Sequence, residues 1–395
     1  MLSNTGSLLH EYKDITQHEI HALKMEYNLA DAHTHQSQSK SQQKIIKRLP
    51  QLWYEAENTK QHEMEDRFIE KFFTGQKQYA ALTEKNVMLV YAASIAMVIT
   101  ANYLMQKKMS VSLIEPCFDN IADILHHMQI KTHSFKEEYL HDPNTIYENL
   151  KKHVKGDALF LVDPNNPTGF SVFCDGKQKA YKEILRYCKD FNKLLIIDYC
   201  FATFFISDQD IEVFDVYKLL EESGVDYITM EDTGKTWPVQ DAKVAMIKTN
   251  KRLYPEIYNI QTSYLLNVSP FILNFLTQYL KDSERDSLYS AYRLLQTNIS
   301  LLKKELAGSI LEVEESKMRV SVAWCKIKDS NISATELQAH ILKSGVYVLP
   351  GTYFFWNNKN EGEHHIRIAL ARNTDMFTKA IKQLRTALDN YAAKK

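Results

Sequence analysis

Six short apolar runs recur between residues 87 and 249 (87–91, 111–114, 158–162, 194–197, 227–230 and 244–247), separated by stretches with helical patterning. A run of four or five residues that is apolar throughout suits a strand covered on both faces. Strand–helix alternation then sends successive strands the same way through one sheet. The expected fold class is therefore α/β, with a large domain built on a mostly parallel sheet covered by helices. Residues 253–305 read as long helix without a strand signal. Beyond them, 318–327, 347–349 and 365–369 read as strands, and 334–343 and 374–391 as helices, which makes a smaller α+β C-terminal domain. The first 45 residues are polar, rich in His and Gln, and read as an arm. The expected division is 1–45 for the arm, 46–280 for the large domain and 281–395 for the small one. A chain of 395 residues buries enough core for both.

One segment imitates a membrane span, because residues 87–105 carry no charge and are about long enough to cross a bilayer. The run breaks at Ala92-Ala93-Ser94, however, so it reads as strand, small-residue turn and buried helix, with the turn offering backbone N–H groups to a phosphate. The 48 basic residues balance 49 acidic ones, so neither nucleic acid nor an anionic membrane is an expected partner. Five cysteines, odd in number and without metal-ligand spacing, suit a reduced protein without a structural metal. Glu11, Lys13 and Asp14 stand where a secretory signal needs an apolar core, so a cytoplasmic location is expected.

Three segments carry chemistry. Asn165-Asn166-Pro167-Thr168-Gly169 is a turn sequence, the apolar run 194–197 ends in Asp198, and Asp232-Thr233-Gly234-Lys235-Thr236-Trp237 sets a lysine among small residues. Taken singly, each has an ordinary reading as a turn, a loop start or a solvated lysine. In this order and spacing they resemble the site of fold type I pyridoxal 5'-phosphate (PLP) enzymes, the aminotransferase class I/II group with the aspartate aminotransferase-like fold. The resemblance runs from about Val87 to the C-terminus. It implies that Lys235 condenses with the cofactor aldehyde. Asp198 would keep the pyridine nitrogen protonated so that the ring accepts electrons, and Asn166 would donate to the ring phenolate oxygen. It also implies a homodimer, with residues 72–76 near the neighbouring site.

Further positions follow from the same resemblance. Ala93 and Ser94 open the helix that binds the phosphate, Phe118 stacks on the ring, and Lys243 stands where the family usually has a phosphate-binding arginine. Lysine there supplies charge without a bidentate fork. Arg367, in the strand-like run 365–369, matches the arginine that clamps a substrate α-carboxylate. Two positions depart from the family. Phe201 replaces a tyrosine that donates to the phenolate oxygen, and Asp232 replaces a serine or threonine three residues before the lysine. An extra carboxylate beside the phosphate is costly unless a cation compensates it.

A cationic substrate would do so. The segment around Asp232 and Lys235, together with Thr16, Glu19, Asp31 and His33 in the arm, is similar to a narrower group, the PLP- and dioxygen-dependent L-arginine oxidases and hydroxylases of natural-product biosynthesis. This resemblance implies oxidation of L-arginine by O2 without metal or flavin. The products would be 4-hydroxy-2-ketoarginine, a dehydroarginine or 2-ketoarginine, with ammonia and peroxide. It further implies that the arm closes over the site, that Thr16, Glu19, Asp31 and Asp232 hold the guanidinium, and that His33 acts on the water that hydroxylates Cγ. A conventional PLP aminotransferase of a basic amino acid is the alternative.

Overall fold

The computed structural model describes residues 14–175, 178–208, 211–286 and 288–393. The first thirteen residues of the arm, with Glu11 and Lys13, lie outside them. The described strands are β1 (Tyr27–Asn28), β2 (Val87–Val90), β3 (Val111–Glu115), β4 (Thr132–Lys136), β5 (Ala158–Val162), β6 (Leu194–Asp198), β7 (Tyr227–Asp232), β8 (Ala245–Thr249), β9 (Leu311–Val313), β10 (Val322–Ile327), β11 (Val346–Tyr347), β12 (Leu349–Pro350) and β13 (His365–Ala369).

Seven of them form one sheet in the order β2-β8-β7-β6-β5-β3-β4. All neighbours pair in parallel except at β8, which is antiparallel to both β2 and β7. β2 therefore runs with the parallel strands, and six carboxyl ends gather at one edge. The six apolar runs of the sequence are all strands of this sheet, and β3, β5, β6, β7 and β8 are buried along their whole length. The sequence does not announce β4, because this edge strand (Thr-His-Ser-Phe-Lys) buries only Phe135.

The membrane-like stretch splits into β2 and the helix Ala93–Gln106, whose Ala96, Ile99, Ala101 and Leu104 are buried in the core. Among the described residues no helix is long and apolar enough to cross a membrane. Residues 253–305 form three helices, Tyr254–Tyr264, Pro270–Asp286 and Tyr289–Leu306. The second, smaller sheet is antiparallel, in the order β12-β13-β10-β9, and the helices Tyr289–Leu306, Ala334–Leu342 and Thr374–Ala392 pack around it. The strand expected over 347–349 divides at Val348. β11 pairs with β1 of the arm, whereas β12 joins the small sheet. The strand expected from Met318 begins only at Val322.

The described part of the arm, polar as its composition is, is folded onto the body. Ile15, Ala22 and Ala30 face inward and pack with Trp324, Leu342, Tyr347, Leu349 and Phe354, while Ile20 and Leu23 stay exposed. Asp14 caps the helix Ile15–Ala22 by accepting from the Gln17 N–H, and the Ile15 N–H donates to Asp119 Oδ2 at 2.8 Å. Farther along, Arg372 donates to the carbonyls of Asn28, Asp31 and His33, and the Thr34 hydroxyl donates to the carbonyl of Trp237. These bonds satisfy buried backbone groups that a segment without regular structure otherwise leaves open.

Asp119 links the arm to pH. Burial pushes its carboxyl up to about 8, against the Ile15 N–H, with Asp123, Asp14 and Glu19 adding to the rise. Because the folded value lies above the unfolded one, its contribution to stability is complete below about pH 4 and is lost as pH rises toward 8. Asp119→Asn keeps an acceptor for Ile15 without the charge. The variant's melting temperature should therefore gain on the wild type by several degrees between pH 5 and pH 8; a difference independent of pH would remove this linkage.

Candidate active site

The carboxyl ends of β2, β3, β5, β6 and β7 surround a cavity of about 250 Å³. Ligands in open α/β sheets bind at this edge, because the loops after the strands are free to vary there while the strands hold their starting points fixed. Asp198, the last residue of β6, is buried, and its Oδ1 accepts the backbone N–H of Cys200 at 2.9 Å. Burial pushes the Asp198 carboxyl up, against that bond from Cys200. Asn166 reaches the cavity from the turn after β5. That turn is fixed by Asn165 and Thr168, which both donate to Glu137 Oε2 at 2.5 Å, and by Gly169. Gly169 has φ +67°, and a Cβ there would meet Ser316 Oγ at 2.0 Å.

Lys235 follows β7 by three residues. Its Nζ lies 3.4 Å from Nε2 of His33, and Lys243 Nζ lies 3.2 Å from the same nitrogen. Gly234 makes this crowding possible, since a Cβ on it would stand 2.8 Å from Lys243 Cδ and 2.9 Å from Asp232 Oδ1. His33 Nδ1 is 2.6 Å from Asp31 Oδ1, and His35 Nε2 is 2.5 Å from Asp31 Oδ2. Burial by itself raises the Asp31 carboxyl, but the bonds from His33 and His35 hold it well below the usual carboxylate range. Ionised Asp31 fixes the Nδ1–H tautomer of His33 and leaves the Nε2 lone pair facing the two lysines.

Thr16, Glu19, His33, Ala93, Ser94, Phe118, Asn166, Asp198, Asp232, Lys235 and Lys243 all line the cavity, and so does Phe201, the departure noted above. Two expected residues do not. Asp31 stands behind His33, with both oxygens taken by histidines. Arg367 is fully buried, donating from Nη1 to Asn166 Oδ1 at 3.1 Å and from Nη2 to Glu19 Oε1 at 2.7 Å and to the Ala30 carbonyl. Asp232, expected to need a cation, already accepts two backbone N–H groups, from Ala93 at 3.1 Å and from Gly234.

Sequence reasoning missed Cys200, Asn120 and Met97 on the cavity wall, and His35 beside Asp31. Only His35 had a signal, since alternate residues of an extended segment share a side and Asp31, His33 and His35 are so spaced. The same segment, with Glu19, brings three metal-ligating groups within 4.8 Å. Arg367 and the two histidines already occupy those carboxylates.

A matching family model covers residues 27–384, and the chain belongs to the aminotransferase class I and II family. Its cofactor is pyridoxal 5'-phosphate. Among solved structures the chain is similar to MppP soaked with the product 2-ketoarginine, at 29% identity and a TM-score of 0.82, over 91% of this chain and 99% of that one. It also resembles the α-aminoadipate aminotransferase LysN of Thermus thermophilus (14% identity, TM-score 0.77, 99% of this chain and 98% of that one). The aspartate aminotransferase of Thermus thermophilus with maleate is a third likeness (14% identity, TM-score 0.74, 95% and 97%). The last two share the fold alone. No curated protein matches the chain by sequence.

The residues present fit this cofactor. A buried carboxylate at Asp198 suits a protonated ring nitrogen, and Phe118 offers an aromatic face. Lys243 and the start of the helix Ala93–Gln106 offer positive charge and N–H groups to a phosphate. Since two lysine amines approach one imidazole, the attachment point is testable. Borohydride reduction of the PLP-loaded protein should leave the pyridoxyl group on Lys235, read by peptide mass. A label on Lys243 would reverse the roles of the two lysines.

Proposed function

We propose that this protein is a PLP-dependent oxidase of L-arginine that uses dioxygen and releases ammonia, peroxide and a keto acid, hydroxylated at Cγ or not. The observation that carries the reading is that Thr16 and Glu19, both from the arm, stand on the wall of the cavity that holds Lys235. A guanidinium has five donors and needs several oxygen acceptors in a dry pocket, and Thr16, Glu19 and Asp232 supply them. The likeness to MppP, whose solved structure carries 2-ketoarginine, supports the same substrate class.

When bound, PLP supplies an aldehyde that captures amines and a ring that accepts the electrons of a carbanion. The remaining chemistry belongs to the chain. Lys235 removes the Cα proton as general base. His33, with Nε2 3.4 Å from Lys235 Nζ, is placed to take up that proton at Nε2 and is oriented by Asp31 through Nδ1. The same nitrogen can activate a water for addition at Cγ. Asp198 would hold the ring nitrogen's proton, Asn166 would bond the phenolate oxygen, and Lys243 and Ser94 would hold the phosphate, joined by Ala93 if its N–H exchanges Asp232 for the phosphate. Arg367 receives the α-carboxylate. Asp31, with both oxygens on histidines, serves the reaction through His33 rather than by touching the guanidinium.

In this reading residues 46–280 carry the cofactor, residues 281–395 carry the carboxylate-binding arginine, and the working form is a cytoplasmic homodimer. Phe72 and Phe73, near the end of the helix Gln61–Gly75, pack inside their own chain, Phe73 edge-on to Tyr217, and Gln76 donates to Glu231, so Thr74 and Gly75 at the helix end would meet the neighbouring site.

Mixing the PLP-loaded protein with L-arginine in air should consume O2 and release ammonia without any keto acid present. Turnover that requires 2-oxoglutarate and ignores oxygen would make the protein an aminotransferase instead. His33→Ala should still bind arginine but shift the products from hydroxylated toward unsaturated or two-electron keto acids, by mass spectrometry. An unchanged product ratio would take His33 out of the water step.

A further inference from the structure

Glu19 and Arg367 are the two groups that a substrate bearing a carboxylate at one end and a cation at the other would use, yet here they bond each other. Arg367 Nη2 donates to Glu19 Oε1 at 2.7 Å inside the protein, with Arg367 fully buried and Glu19 only 8% exposed. Glu19 lines the cavity and Arg367 does not, so the arm masks the arginine. The arrangement is also incomplete. Nε and Nη2 share one edge of the guanidinium. Nη2 directs one N–H to that edge and one to the Nη1 side, and these two bond Glu19 and the Ala30 carbonyl, whereas Nε is buried with no partner among the described residues. A substrate carboxylate that replaces Glu19 can take Nε and Nη2 together, a side-on bidentate pairing that Glu19, bonded to Nη2 and not to Nε, does not make.

We propose that the Glu19–Arg367 pair is a selectivity latch, opened at low cost only by a ligand that replaces both partners at once. This rests on the assignment above of a dibasic amino-acid substrate. An amino acid with an apolar side chain can engage Arg367 only by expelling Glu19, which then remains in a largely buried position without a cation. Stranding one member of a buried ion pair is far more costly than exchanging it for an equivalent partner. A free guanidinium faces the mirror problem, because it captures Glu19 and strands Arg367. Arginine exchanges both contacts in one event. The latch therefore selects by the number of charges exchanged, before any fit of the side chain to the pocket wall.

The experiment is calorimetric binding to the PLP-loaded protein, with L-arginine and with L-norleucine, which keeps the amino-acid head and lacks the guanidinium. Glu19→Gln preserves the size of the side chain and removes its charge. It should weaken arginine binding about tenfold and strengthen norleucine binding about tenfold, two changes of opposite sign. Weaker or unchanged norleucine binding in the variant would overturn the latch. The wild-type protein offers a check that needs no variant. Propylguanidinium, by drawing Glu19 away, should tighten the binding of butyrate, and butyrate should tighten that of propylguanidinium by the same factor. Independent binding of the two would overturn the proposal as well. If arginine is not oxidised but norleucine gains in Glu19→Gln, the oxidase reading falls and the latch stands. If oxidation is observed and norleucine does not gain, the latch falls alone.

Discussion

Six strands run in one direction through the large sheet and end at one edge, and the chemistry of this protein depends on that constraint. β8 is the strand that runs the other way, and by doing so between β7 and β2 it returns β2 to the common direction. The loops after β2, β3, β5, β6 and β7 thereby meet around one cavity, each contributing residues from a fixed starting point. The strands are buried along most of their length, so their ends hold a carboxylate such as Asp198 in a place where water is scarce and its charge acts strongly on a neighbour.

Within that dry site no charge is left to itself. Asp232 is answered by two backbone N–H groups, Asp31 by two histidines, and Glu19 by Arg367. This pairing is what burial demands, because an isolated buried charge either finds a partner or changes its protonation. It also means that binding at this site is an exchange of partners rather than the filling of vacant ones. Asp232 illustrates the point. From sequence it calls for a cation, and in the structure the Ala93 N–H at the start of the helix Ala93–Gln106 and the Gly234 N–H already donate to it.

The arm changes how a family fold is used. Membership of the aminotransferase class I and II family accounts for the sheet and the cofactor. The helix Ile15–Ala22 lies outside the matched range; with the extended segment after it, it lies over the cavity, pinned by β1 on β11, by Ile15 on Asp119 and by the three carbonyls on Arg372. Fold alone leaves the reaction open. What distinguishes this site is the set of side chains that the arm brings to it.

The sequence by itself determined the large sheet and the spacing that sets Asn166, Asp198 and Lys235 around one cavity. Buried strands are mostly apolar, and Asn166, Asp198 and Lys235 each come at or soon after the end of such a run, so local pattern carries their positions. Half-exposed β4 escaped, since an edge strand has no such pattern. The polar arm was legible as a segment but not as a folded one, because its inward face rests on a handful of residues, among them Ile15, Ala22 and Ala30, too widely spaced to form a period. Only the tertiary structure decided which charges meet. Glu19 and Arg367 lie 348 positions apart and His33 and Lys235 lie 202 apart, and such pairings depend on how whole layers pack. Local sequence reports how deeply a residue is buried; it carries no information about which distant partner waits there.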